Sequence, residues 1–328
     1  MTETVDRQVS FIYEPIEADL ERVVQNLRDL AAQSGQLRDD ALLEHAVLSG
    51  GKKLRPAITL LASRFHPHQG DAVVVMATAV ELLHIATLIH DDTVDRASLR
   101  RGRATVSSHW GQDVAVMLGD YVFAISATFV CDTENVRVIR RFSETIMELA
   151  RGQLTERFSV HDWKQTIQDY NERIYNKTAS LFCTAAGSGA VLSGAPEPQC
   201  ESLRNYGYNL GMAFQIMDDV LDFQGTEHEL GKPVGNDLLQ GTLTLPALLF
   251  ARRYPDDAVL RRLREGSRDA ADLKSMVDQV RSSPAMDETL AVMRRYQDAA
   301  RTSLNVLPAG RARESLAALT DYVIDRRT

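Results

Sequence analysis

Two short carboxylate clusters constrain this chain more than any other feature. The first, Asp91-Asp92-Thr93-Val94-Asp95, ends the apolar run that includes Glu81 to His90, and the second, Asp218-Asp219-Val220-Leu221-Asp222, ends another around Gln215. If both runs are helical, the first and last carboxylates of each cluster share a face, the middle one lies about 100° round, and His84 stands two turns behind Asp91. Carboxylates this close repel and lose hydration, which raises their pKa values unless a hard cation such as Mg2+ sits among them. One such cluster alone reads as a solvated helix end. Two with the same spacing are harder to dismiss, and facing each other across one cavity they would have room for more than one Mg2+ and for phosphate oxygens. The chain of 328 residues allows two domains by length, but a site drawn from both halves predicts a single domain over 1–328.

Composition narrows the class. Hydrophobic residues make up 44%, prolines number ten, and Ala, Leu, Arg and Glu are plentiful, so an all-α protein with a large core is expected. A formal charge of -8 argues against nucleic-acid binding and leaves the local Lys and Arg groups to a small anion such as a phosphate ester. Cys131, Cys183 and Cys200 are scattered and suit neither a disulfide framework nor a zinc site, which points to a reducing cytoplasm. Glu3 and Asp6 do not suit a secretory signal. Glu81 and His84 interrupt the most apolar run, 72–89, so it reads as a core helix and no integral membrane segment is expected.

Along the chain, 14–32 is amphipathic and reads as a packing or subunit-contact helix. Gly50-Gly51 then precede Lys52, Arg55 and Pro56, where free N–H groups and two cations suit a phosphate. Asp71 is placed to cap the helix that carries His84, and Arg96, Arg100, Arg101 and Arg103 follow the first cluster with guanidinium groups that suit bidentate phosphate binding. Core helices are expected over 111–131 and 134–158, with Asp162 capping the next. Tyr175-Asn176-Lys177-Thr178 leads into small residues over 179–193, and Pro198 opens the helix to Phe223, where Gly207 and Gly211 leave room for a neighbour. The loop 228–246, with Lys232 and Asp237, reads as a mobile lid, and Ser283 is placed to cap a later helix.

A GGKxxRP loop, DDxxD followed by paired Arg, a Lys-Thr pair, QxxDDxxD and a GKPxGxD loop stand in that order at Gly50, Asp91, Lys177, Gln215 and Gly231. The chain therefore resembles the trans-polyprenyl diphosphate synthases, from Leu43 to about Phe250. The resemblance implies the isoprenoid synthase fold with a central active-site cavity, a cytoplasmic homodimer, and about three Mg2+ ions per site once diphosphate is bound. It assigns Lys52, Arg55, His84 and Arg101 to isopentenyl diphosphate, and Asp91, Asp95 and Asp218 to Mg2+ most directly. Asp92, Asp219 and Asp222 complete the clusters. Arg100, Lys177, Gln215 and Lys232 contact the allylic diphosphate, and Thr178 lies near the forming cation. Some relatives carry a basic residue before the TLP sequence, where this chain has Gly241-Thr242-Leu243, and no role is carried over there.

Product length is read from the helix behind Asp91. Relatives with short products carry bulky aromatics four or five positions before the first Asp, where this chain has Thr87 and Ala86, with Leu83 and Val80 further back. From Asp91 to Val80 is about 16 Å, room for roughly three prenyl units before any floor is met. DDTVD also lacks the insertion of many short-chain bacterial relatives, so a medium or long product of about six to ten units is expected. The alternatives are a short-chain farnesyl or geranylgeranyl diphosphate synthase, a terpene cyclase, an HD phosphohydrolase, and a non-catalytic subunit of a heteromeric synthase. The second cluster, DDVLD, is not the mixed Asn, Ser and Glu motif of cyclases, and the hydrolase reading leaves it unexplained.

Overall fold

Helical spacing of apolar residues governs nearly every element of the computed structural model, which describes residues 10–32, 40–48, 50–67, 70–225 and 233–324. The first helices are α1 (Glu17–Ala32), α2 (Asp40–Val47), α3 (Leu54–Ser63) and α4 (Ala72–Val94). A two-strand hairpin, β1 (Leu99–Arg100) with antiparallel β2 (Arg103–Ala104), separates these from α5 (Val106–Trp110), α6 (Gln112–Cys131) and α7 (Val136–Phe158). Then come α8 (Ile167–Ile174), a π-helical turn over Tyr175–Ala179, α9 (Ser180–Leu192) and α10 (Glu197–Gln224). The chain closes with α11 (Asn236–Leu239), α12 (Leu245–Arg253), α13 (Ala258–Arg264), α14 (Ala270–Arg281), α15 (Ala285–Ser303) and α16 (Arg311–Ile324). The described chain is all-α apart from the hairpin. It divides into two compact units, one of residues 1–143, 184–203 and 307–316, the other of 144–183, 204–306 and 317–328.

In the first unit α4 is the spine, packed along α6, α3 and α1. Leu82, Ile85, Ala86 and Ile89 meet Leu118 and Val122 of α6, and each buried Leu or Ile contributes roughly 1.5–3 kcal/mol over its exposed state. Asp71 does stand at the N-cap of α4, but its side chain makes no cap bond and pairs instead with Arg22. The core helix expected over 111–131 is present, with Leu118 and Val122 in the core and Tyr121, Ile125 and Phe129 packed against it, though one side of the helix faces outward. α6 buries Ala115, Leu118, Gly119, Val122, Ser126 and Val130 on one side, while Val116 and Met117 are exposed on the other. Both α4 and α6 are long and apolar enough to cross a membrane, yet the most apolar window of α4 is 72% buried and that of α6 only 33%. Burial accounts for the composition of α4 as a core helix, and for that of α6 on its inward side alone.

In the second unit α12 packs on α15, and α14 on α11 and α13. Small residues work as expected where α10 passes α9: a Cβ on Gly207 would stand 2.4 Å from the carbonyl oxygen of Phe182, and one on Gly211 would stand 2.6 Å from Cα of Ala179. Two caps fall elsewhere than expected. Thr166, not Asp162, caps α8, in a reciprocal box with Asp169, because Thr-x-x-Asp satisfies two N–H groups at once. Pro284 holds the N-cap position of α15, and Ser283 reaches the N–H of Ala285 at 3.2 Å from one residue earlier.

Candidate active site

The first cluster is built by the way α4 stops. Arg96 takes a left-handed conformation at φ 53°, and the N–H of Ala97 returns to the carbonyl of Asp92 at 2.9 Å, a Schellman-type ending. The chain then turns through Arg101 (φ 52°) and Gly102 (φ 75°), the two positive φ values a tight hairpin turn needs, and this folds Arg100 back onto α4. Arg100 Nε lies 2.7 and 2.8 Å from the two oxygens of Asp92, and its Nη2 lies 2.7 Å from Oδ1. Burial works against the charged guanidinium, but the Asp92 bond and the fields of Asp92, Asp91 and Asp95 outweigh it and raise its pKa. Asp92 is buried, Asp91 half-buried and Asp95 exposed.

The glycine loop is drawn into the same unit. Arg101 Nη1 donates to the carbonyl of Gly50 at 2.9 Å, and Gly51, at φ 110°, lies so close that a Cβ there would stand 2.5 Å from that nitrogen. Arg55 Nη1 meets His84 Nε2 at 3.3 Å. Loss of hydration holds the His84 imidazole well below its ordinary pKa, and the charges of Arg55, Arg101, Arg100 and Lys53 add to that, so the ring is neutral and accepts from Arg55. Lys52 is exposed, and its carbonyl accepts from Tyr13 Oη at 2.5 Å. Three of the four residues assigned to one diphosphate, Arg55, His84 and Arg101, are thus linked through this loop and hairpin, with Lys52 on the same loop. Sequence reasoning passed over Lys53, whose Nζ lies 3.0 Å from Glu81. The Arg101-Gly102 pair was the legible sign of the hairpin.

In the second unit, α10 presents Asp218, Asp219 and Asp222. Asp219 and Asp222 are buried, and Asp218 is half-buried. Asp219 accepts from Tyr170 Oη at 2.5 Å and from Gln215 Nε2 at 3.1 Å, and Gln215 in turn accepts from Thr178 Oγ1 at 2.7 Å. Asp222 accepts from the N–H of Asp237 at 3.2 Å, and its carbonyl takes the N–H of Gly235 at 2.8 Å, which ties the glycine-rich loop to the helix end. Lys177 and Thr178 sit on the π-helical turn, a feature frequent at functional sites, and Lys177 is paired with Glu156. Arg173 braces the region through Gln165 Oε1 at 2.7 Å and the carbonyl of Leu243 at 2.5 Å. Lys232 and the start of the expected lid lie outside the described residues. Tyr170 and Glu156 were not foreseen. Tyr170 lies 49 residues from Asp219, and its one local sign is its place on the buried face of α8 with Arg173 and Ile174.

Among the described residues, no group of three or more His, Cys, Asp or Glu side chains is gathered closely enough to hold a metal ion by itself. The donors nonetheless fit Mg2+, which takes oxygen ligands and is held by one or two carboxylates together with substrate phosphate oxygens. The carboxylates assigned to metal, Asp91, Asp95 and Asp218, are the accessible ones, and the three that complete the clusters are buried against protein partners. Of the positions from which product length was read in the sequence, Val80, Leu83 and Ala86 are buried, and Thr87 is half-buried with its hydroxyl on the carbonyl of His84 at 2.7 Å.

The profile of the polyprenyl synthetase family matches residues 39–280. The chain belongs to that family. It is 36% identical over 312 residues, 95% of its own length and 87% of the relative's, to heptaprenyl diphosphate synthase component 2 of Bacillus subtilis. It is 36% identical over 316 residues to nonaprenyl diphosphate synthase of Mycobacterium tuberculosis, covering 95% of this chain and 93% of that one. Among solved structures, a polyprenyl synthase from Caulobacter crescentus complexed with calcium and isoprenyl diphosphate superposes with a TM-score of 0.89 at 36% identity, covering 98% of each chain. The all-α architecture is therefore the isoprenoid synthase fold, and the chain falls in the prenyltransferase class.

Proposed function

We propose that this protein joins isopentenyl diphosphate head to tail with an allylic diphosphate and makes a trans-polyprenyl diphosphate of medium or long chain. The linked set of Arg55, His84, Arg101 and the Gly50 loop carries the reading, because it is a cationic cradle with a neutral imidazole at its base, suited to a diphosphate rather than to a nucleic acid. Lys52, Arg55, His84 and Arg101 hold isopentenyl diphosphate. Arg100, Lys177, Gln215 and Lys232 engage the allylic diphosphate, and Lys177, paired with Glu156, keeps two further N–H donors for that contact. Thr178, already hydrogen-bonded to Gln215, stands by the forming cation.

Asp91, Asp95 and Asp218 would hold Mg2+, about three ions with diphosphate bound, which on binding neutralise the diphosphate charge and ease cleavage of the allylic C–O bond. The basic side chains stabilise the departing diphosphate further. The double bond of isopentenyl diphosphate closes the new C–C bond, and the departing diphosphate accepts the proton that is lost. The reaction draws on both aspartate clusters, so residues 1–328 act as one catalytic domain. The half-exposed apolar helix α6 supports a homodimer, and water-soluble diphosphate substrates are in keeping with a cytoplasmic enzyme.

Small residues at Thr87 and Ala86 and the names of the two curated relatives support the longer product. Asp91→Ala and Asp218→Ala test the mechanism: each should lower turnover by about a thousandfold or more while circular dichroism stays unchanged, since each removes a metal ligand and not core packing. A folded variant with near wild-type turnover at limiting Mg2+ refutes the two-cluster mechanism.

A further inference from the structure

Apart from two histidines, helix α4 carries one ionisable side chain between Ala72 and its terminal aspartates, and that residue, Glu81, is 5% exposed. A carboxylate so buried is unfavourable unless paired. Its partner is Lys53 Nζ at 3.0 Å, with the lysine side chain 14% exposed. Lys53 also has φ 49° and ψ 39°, a left-handed conformation that a residue with a Cβ adopts at a cost. Two unfavourable features thus coincide in one residue, and core stability does not explain them, because an apolar pair of similar volume stabilises a core as well or better.

The geometry explains them as a clamp. Lys53 grips Glu81, Arg55 grips His84 two residues later, and Glu81 and His84 are neighbours on one face of α4. The loop is thereby pinned to the helix at two successive points, and Arg101 holds its other end through Gly50. Glu81 also takes up the charge of Lys53 as Asp92 takes up that of Arg100.

We infer that Glu81 and Lys53 are positioning residues whose ion pair sets the loop of residues 50–55 so that Lys52 and Arg55 meet the diphosphate of isopentenyl diphosphate. The inference rests on the prenyltransferase reading above. Lys53→Met combined with Glu81→Leu replaces the ion pair by an apolar one. The double variant should melt within a few degrees of the wild type, with its KM for isopentenyl diphosphate raised about tenfold and its KM for the allylic substrate changed by less than about twofold. Unchanged KM values, or equal rises for both substrates, overturn the inference. Should the double variant not fold, Glu81→Asp, which keeps the charge and shortens the arm, should give the same split at smaller size, and an unaltered KM there overturns it equally. A wild type that consumes no isopentenyl diphosphate refutes the prenyltransferase reading itself, whereas an active wild type with unaltered variants refutes only the positioning role.

Discussion

Asp219 concentrates the electrostatics of the second cluster. Burial pushes its carboxyl up to about 8, the bonds from Tyr170 and Gln215 pull it back, and neighbouring Asp237 adds to the rise. Tyr170, itself buried and shifted well upward, is the neutral donor. An acid whose folded pKa lies above its unfolded value keeps its proton when folded and loses it when unfolded. Its stabilising contribution is therefore full below the unfolded value of 3.8 and is lost as pH rises through about 8. Without metal, the melting temperature should fall as pH rises from 4 to 8, at most about 1.4 kcal/mol of stability per pH unit from this group. Asp219→Asn should flatten that slope in a calorimetric pH series, and an equally steep slope in the variant would assign the effect to other groups. The family resemblance already set Asp218 apart from Asp219, but the physical cause of the difference was not visible in the motif. Their difference arises from Tyr170, brought in by tertiary packing.

At the scale of elements, the legible parts were those with a local cause. Both aspartate clusters do end helices, the glycines at 50 and 51 do adopt positive φ, and Pro198 does lie in the first turn of α10. Caps were less legible, since Asp71 and Asp162 each had a rival partner, Arg22 for one and the N–H of Lys164 for the other. The π-helical turn at Tyr175–Ala179 had no sign in the sequence, because it is sustained by what packs against it. Gly152 of α7 is part of that support: a Cβ there would stand 2.6 Å from the backbone nitrogen of Lys177 and 2.9 Å from its Cα. Alanine is otherwise favoured over glycine inside a helix by about 1 kcal/mol. Here the clash is with backbone, so Gly152→Ala should cost about 1–3 kcal/mol in urea unfolding and lower kcat by shifting Lys177 and Thr178. A variant as stable and active as the wild type would show that the turn does not depend on this approach.

For the whole molecule, the all-α class followed from composition, and the two-cluster pattern placed chemistry on helix ends in each unit. What the sequence could not supply was the set of buried partners, Arg100 on Asp92 and Tyr170 on Asp219, which divide each cluster into supporting and accessible carboxylates. On the proposed function, product length belongs to this scale, because the growing chain would be accommodated beyond the small side chains at Ala86 and Thr87. The most direct test incubates the purified chain alone with Mg2+, isopentenyl diphosphate and allylic primers of several lengths, and separates the products by chromatography. The account predicts all-trans products of about six to ten units, at ~1.5 Å of helix rise per residue behind Asp91, formed only when both substrates and Mg2+ are present. Products that stop at three or four units, or the absence of any chain elongation by the chain alone, would contradict it.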